Sequence, residues 1–177
     1  MIDTRWIAFP LHPETPPEGQ SLEALFPGRT LNLEEMRLHM KRVADMEGLP
    51  LRDRNMTYNS RLAQELGKWA ESRGMGDEYH NGVFRAYFVE GKNIGKNSEL
   101  VALAKSIGLP GEEAQDTLEA RSFRDAVDRD WEHSRRMGVT AVPTFKIDSQ
   151  TVVGAQPYEV LEQFLRDREV RERDSES

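Results

Sequence analysis

The apolar positions of the chain change period twice. Ile2 to Leu11 (IDTRWIAFPL) mixes β-branched, aromatic and polar residues in rough alternation, which predicts a strand over Ile2 to Phe9. The proline-rich stretch His12 to Gly19 that follows predicts a long irregular connection. From Asn32 the spacing becomes helical. Asn32 with Glu35 forms a cap signal, and Leu33, Met36, Met40, Val43 and Ala44 share a face until Gly48 supplies a stop, so an amphipathic helix is expected there.

Five more helices are predicted before the period changes again. Asn59 can cap one whose inner face is Leu62, Ala63, Leu66, Trp69 and Ala70, ending at Gly74. Asp77 can cap another that carries Val83, Phe84, Tyr87 and Phe88 to Gly91. Asn97 or Ser98 starts a helix with Leu100, Val101 and Ala104, and two more are expected near Glu112 to Ala120 and Phe123 to Met137. After Gly138 the period flips back: Val139 to Ile147 is β-branched and apolar, Asp148-Ser149-Gln150 is turn-like, and Thr151 to Val153 can pair back as a hairpin. A last helix opens at Pro157, is expected to bury Tyr158, Leu161, Phe164 and Leu165, and runs into a charged tail. Strand, helical block, hairpin and helix in that order describe a small α/β fold interrupted by a helical insertion.

Composition narrows the function classes. With 37% hydrophobic and 31% charged residues the chain reads as a globular domain, and no apolar run is long enough to span a bilayer. The net charge of −7 repels nucleic-acid backbones, and no Lys/Arg cluster with interleaved aromatics offsets it. Met1 to Arg5 lacks the basic and apolar segments of a secretory signal, so a cytoplasmic location is expected. The absence of any cysteine excludes disulfides, cysteine-ligated metals and a thiolate nucleophile within these 177 residues.

Few other constellations carry chemistry. His12, His39, His80 and His133 are scattered without metal-ligand spacing, so no metal site is expected. Asp125, Asp128, Asp130 and Glu132 read as a solvated helix face with no assigned role. Trp69, Trp131, Phe84, Tyr87 and Phe88 have the spacing of core residues, and Ser60 is explained as part of a helix start. No nucleophile elbow, phosphate-binding glycine loop or dinucleotide fingerprint is present. The tetrapeptide Val142-Pro143-Thr144-Phe145 is more informative, because a proline opening an apolar strand must sit at an edge, a bulge or a bend.

Five segments in order, Trp6 to Gly19 (WIAFPLHPETPPEG), Asn59 to Gly74 (NSRLAQELGKWAESRG), Ala86 to Leu109 (AYFVEGKNIGKNSELVALAKSIGL), Gly138 to Phe145 (GVTAVPTF) and Gly154 to Pro157 (GAQP), carry a resemblance. Together they resemble the FrnE-type branch of the DsbA-like thioredoxin-fold oxidoreductases. The resemblance implies a thioredoxin-like part over 1–30 and 138–168 and a helical insertion over 31–137, while the charged composition of 169–177, which the resemblance does not cover, predicts a disordered tail. It also implies that Ala141, Val142 and Pro143 form a cis-proline loop offering backbone groups to an extended peptide or to glutathione. Members of that family begin with a strand and a Cys-x-x-Cys, neither of which occurs here. The first strand of the sheet is therefore expected to be missing, leaving a gap of about 4.8 Å between neighbours and exposed edges through which copies of the chain could associate.

Two explanations of the absence stay open: a start assigned at an internal methionine, or a genuinely cysteine-free descendant. Three functions follow. One is a disulfide oxidoreductase lineage, redox-inactive as written, acting on thiol-containing proteins. Another is a glutathione-dependent isomerase or transferase, like 2-hydroxychromene-2-carboxylate isomerases and kappa-type transferases, which share the helical insertion and the Val-Pro turn. The third is a non-catalytic module that binds an extended peptide or a copy of itself. No cofactor is implied beyond glutathione as a ligand.

Overall fold

In the computed structural model, residues 5–25 and 32–168 are described. The chain divides into two compact units, one formed by residues 12–128 and the other by residues 1–11 with 129–177.

The unit of residues 12–128 is mainly helical. A two-residue strand β1 (Gln20–Ser21) and a single turn α1 (Leu22–Leu25) follow the proline-rich connection, and β1 pairs antiparallel with β2 (Met56–Thr57). The period of the sequence is silent on these elements because two residues are too few to alternate. Helix α2 (Leu33–Met46) has the expected cap: the Asn32 side chain accepts the Glu35 N–H at 3.1 Å and donates back to the Glu35 carboxylate. Its apolar stripe is not a core stripe, however. Met36, Met40 and Val43 are exposed, so the amphipathic pattern gave the helix correctly and its burial incorrectly.

The core lies among α3 (Arg61–Ser72), α4 (Gly76–Phe84), α5 (Asn97–Ser106) and α6 (Gly111–Glu119). Leu66, Tyr79, Leu100 and Leu118 are fully buried, each worth roughly 1.5–3 kcal/mol of removed apolar surface. Ala63, Ala70, Ala104 and Ala114 let the helix axes approach. Gly82 does so too: a Cβ there would lie 2.7 Å from Leu103 Cδ1, closer than packing tolerates. The helices begin where expected to within two residues, with different caps. Ser60, Met75 and Lys96 hold the N-cap positions of α3, α4 and α5, and Asp77 sits inside the first turn of α4. After Phe84 the helix widens into a π turn (Arg85–Val89), closed by the Glu90 N–H on the Arg85 carbonyl.

In the other unit, α7 (Arg124–Arg136), which begins in the helical unit, contributes its residues from Arg129 onward. Strands β3 (Thr144–Ile147) and β4 (Gln150–Val153) form an antiparallel hairpin, with Thr144 opposite Val153 and Ile147 opposite Gln150. Asp148 and Ser149 are its two-residue loop, and Asp148 takes φ 52, a left-handed conformation that aspartate tolerates. Helix α8 (Tyr158–Arg166) buries Phe164, with the Arg168 guanidinium 4.0 Å over its ring, while Tyr158 is 72% exposed, against expectation.

The expected strand over Ile2 to Phe9 is corrected where it can be seen. Residues 5–9 pair with no strand, and residues 2–4 lie outside the described residues, as does the tail from 169. The segment is held by α7 instead: the Ala8 N–H donates to Asp130 Oδ2 at 3.0 Å, and Ser134 Oγ donates to the Ala8 carbonyl at 3.3 Å. Side chains from one helix face have satisfied backbone groups that a ladder would otherwise satisfy. No helix of the described residues is long and apolar enough to cross a membrane.

Candidate functional site

Helix α7 stops because Gly138, at φ 70, turns the chain: its N–H bonds to the Arg135 carbonyl, and the Val139 N–H to that of Ser134. The chain then runs through Ala141, Val142 and Pro143 into β3, and the Val142–Pro143 peptide bond is cis. Only four residues of the apolar run from Val139 form a strand, because Pro143 has no N–H to give a ladder.

Two hydrogen bonds fix the loop. Thr144 Oγ1 donates to the Ala141 carbonyl at 2.7 Å, and the Gly154 N–H donates to the Pro143 carbonyl at 2.8 Å, extending the hairpin pairing one residue beyond the strands. Between them Val142 is left over. The residue is 44% exposed, and among the described residues neither its N–H nor its C=O has a hydrogen-bond partner. The edge of β3 not bonded to β4 likewise has no strand against it among the described residues, and Phe145 is exposed on it. An unpartnered backbone donor and acceptor on an exposed residue beside an open strand edge is the arrangement that accepts an extended chain.

The remaining candidates resolve in several ways. No group of three or more His, Asp or Glu that could hold a metal occurs among the described residues. The acidic stretch of α7 is not uniformly solvated, as the charge pattern suggested. Asp130 is buried on the Ala8 N–H, and Asp128 binds Arg61 at 2.7 Å. Val127, Asp130 and Ser134 lie at helical spacing on one buried stripe of α7, but with two polar members out of three that stripe carries no apolar signal in the sequence. Trp69 is core, Phe84 is exposed, and Tyr87 and Phe88 are half-buried around Arg54. Ser60 is a helix N-cap residue without a side-chain cap bond.

One electrostatic feature is readable in the sequence only in part. Glu65, 2% exposed in α3, receives Arg61 Nε at 2.6 Å and Arg121 Nε and Nη2 at 2.7 Å each. Burial pushes its carboxyl up, but the hydrogen bonds and charges of Arg121 and Arg61 outweigh burial and hold it below the ordinary glutamate value. Arg61 and Glu65 are readable as a helical pair, but Arg121, 56 positions away, is not.

Residues 2–166 match the model of the DSBA-like thioredoxin domain, and the chain belongs to that family. It is 28% identical over 172 residues to the uncharacterized protein YwbO of Bacillus subtilis (strain 168), covering 95% of this chain and 83% of that protein. Among solved structures it is similar to the probable DsbA oxidoreductase SCO1869 from Streptomyces coelicolor, with a TM-score of 0.81 and 26% identity over 94% of this chain and 75% of that one. A 2-hydroxychromene-2-carboxylate isomerase shares the fold, with a TM-score of 0.67 and 19% identity over 79% of this chain and 71% of that one. The fold is thus the mixed α/β, thioredoxin-like one with a helical insertion.

Proposed function

We propose that this chain is a FrnE-type, redox-inactive member of the DsbA-like family that holds an extended peptide, in the cytoplasm, at Ala141, Val142 and Pro143. The observation that carries the reading is the unpartnered Val142 N–H and C=O beside the open edge of β3. A peptide laid antiparallel there would return both bonds and cover Phe145. Exchange chemistry has no attacking atom, since the 177 residues contain no cysteine. The same open edge would serve pairing with a second copy, so light scattering belongs beside the binding assay.

The test uses the reduced, carboxymethylated insulin B chain as the probe, compared with the same peptide N-methylated at alternate residues. Losing two backbone bonds is expected to weaken binding about tenfold or more. Equal binding of both peptides would refute the backbone mode. Catalysed reduction of insulin by this chain would refute redox inactivity. Displacement of the peptide by glutathione would instead favour the glutathione-dependent reading.

A further inference from the structure

We propose that a second site lies in the unit of residues 12–128, a cleft built to take the carboxylate of a small monoanionic organic acid. The cleft has a volume of about 80 Å³. At roughly 10–15 Å³ per water it holds several waters, room for a carboxylate with a few carbons and too little for a nucleotide or a folded peptide.

Arg52 and Arg54 both line it, and among the described residues neither has a carboxylate within salt-bridge distance. The two guanidiniums are nevertheless held in place. Arg54 donates from Nη1 to Tyr87 Oη at 2.6 Å and to the Met56 carbonyl at 3.2 Å, and stacks 4.8 Å over the Tyr87 ring and 5.4 Å over that of Phe88. Arg52 donates from Nη1 to the Glu90 carbonyl at 3.0 Å, against Gly91, where an added Cβ would sit 3.0 Å from that same nitrogen.

These contacts use only part of a guanidinium's five donors, so each arginine keeps N–H groups for a ligand. Asp53 also lines the cleft; Arg37 binds it at 3.2 Å but also binds Glu34 at 2.5 Å, so Arg37, Arg52 and Arg54 against Glu34 and Asp53 leave one positive charge. One added negative charge neutralises that sum, and a planar carboxylate matches the fork geometry of Arg52 and Arg54. Met56 and Tyr58 supply the apolar wall for the acid's body. The frame is rigid: Thr57 Oγ1 lies 3.1 Å from Tyr87 Oη, and the π turn brings Tyr87 and Phe88 into an edge contact at 4.8 Å. π turns recur at binding sites because the wider turn re-aims the side chains that follow.

Butyrate is the probe, with butyramide as its neutral isostere and inorganic phosphate as the competing oxyanion, each titrated into the 15N-labelled full chain. Butyrate is expected to give saturable shifts at Arg52, Arg54, Tyr58 and Gly91, and butyramide none. Arg52→Gln is expected to weaken butyrate about tenfold or more, because it removes charge-assisted bonds. Butyramide binding equally well, unchanged affinity in Arg52→Gln, or saturation at this cleft by phosphate and not by butyrate would each overturn the proposal. If Arg52→Gln fails to fold, the comparison of butyrate with butyramide on the wild-type chain decides by itself.

Discussion

Replacing Glu65 by glutamine tests whether the buried carboxylate holds the helical unit together. Glutamine keeps the size but turns one acceptor into a donor facing a guanidinium, and it leaves two arginines without their shared counter-charge. Breaking a buried pair by removing one partner costs roughly 3–5 kcal/mol, whereas exposed pairs are worth less than about 1 kcal/mol. The low end applies here. Arg121 is 43% exposed and can turn into water, and Arg61 keeps Asp128 at 2.7 Å and the Arg124 carbonyl at 2.9 Å. We therefore expect Glu65→Gln to lose about 3 kcal/mol, or about 6–12 °C in Tm for a chain of this size. Urea denaturation followed by far-UV circular dichroism, dominated by the helices, reads this loss. The pH dependence is a second readout. Because the folded carboxyl is held below its ordinary value, its contribution is complete above the unfolded glutamate pKa of about 4.3 and is lost as pH falls through the folded value. The gap between wild type and Glu65→Gln should be constant from neutrality down to about pH 5 and then close in stronger acid. A loss under about 1 kcal/mol, or a gap that widens on acidification, would refute the reasoning.

Other expectations concern the neighbouring contacts. Asn59 donates to the Pro13 and Thr15 carbonyls at 3.1 and 2.7 Å and accepts the Arg61 N–H at 2.9 Å, so Asn59→Ala should cost about 2 kcal/mol. It should also speed cleavage after Glu14 or Glu18 by a glutamate-specific protease; an unchanged cleavage rate would show that the loop is held by other means. Tyr79, 1% exposed, donates to the Ala63 carbonyl at 3.0 Å, and burial pushes its phenol far up. Tyr79→Phe is expected to cost about 1 kcal/mol and to remove the step in an alkaline absorbance titration that coincides with unfolding. Ionisation of all four tyrosines in the folded chain would contradict that assignment.

Helices were the most legible part of this protein, since a 3.6-residue period repeated over ten or more positions leaves a strong signal, as Leu62, Leu66, Trp69 and Ala70 do in α3. The hairpin was legible too, because β-branched runs flank a turn-like segment, although Gln150, read as part of the turn, is the first residue of β4. So was the Val142–Pro143 loop, whose proline limits the strand that follows whatever surrounds it. Periodicity cannot tell which face finds a partner. Met36, Met40 and Val43 read as core and are exposed, while Asp130 read as surface and is buried. Nor can it tell whether an extended segment reaches a ladder: residues 5–9 have the alternation of a strand, but α7 binds Ala8. The Glu65 cluster and the Arg52–Arg54 cleft are invisible for the same reason. Their chemistry depends on charges and rings that lie tens of positions apart in the chain, Arg121 from Glu65 and Tyr87 from Arg54, and only the packing of the helices brings them within hydrogen-bond distance. Local order follows from the backbone and its nearest neighbours in sequence, whereas burial and convergence are decided by the tertiary fold.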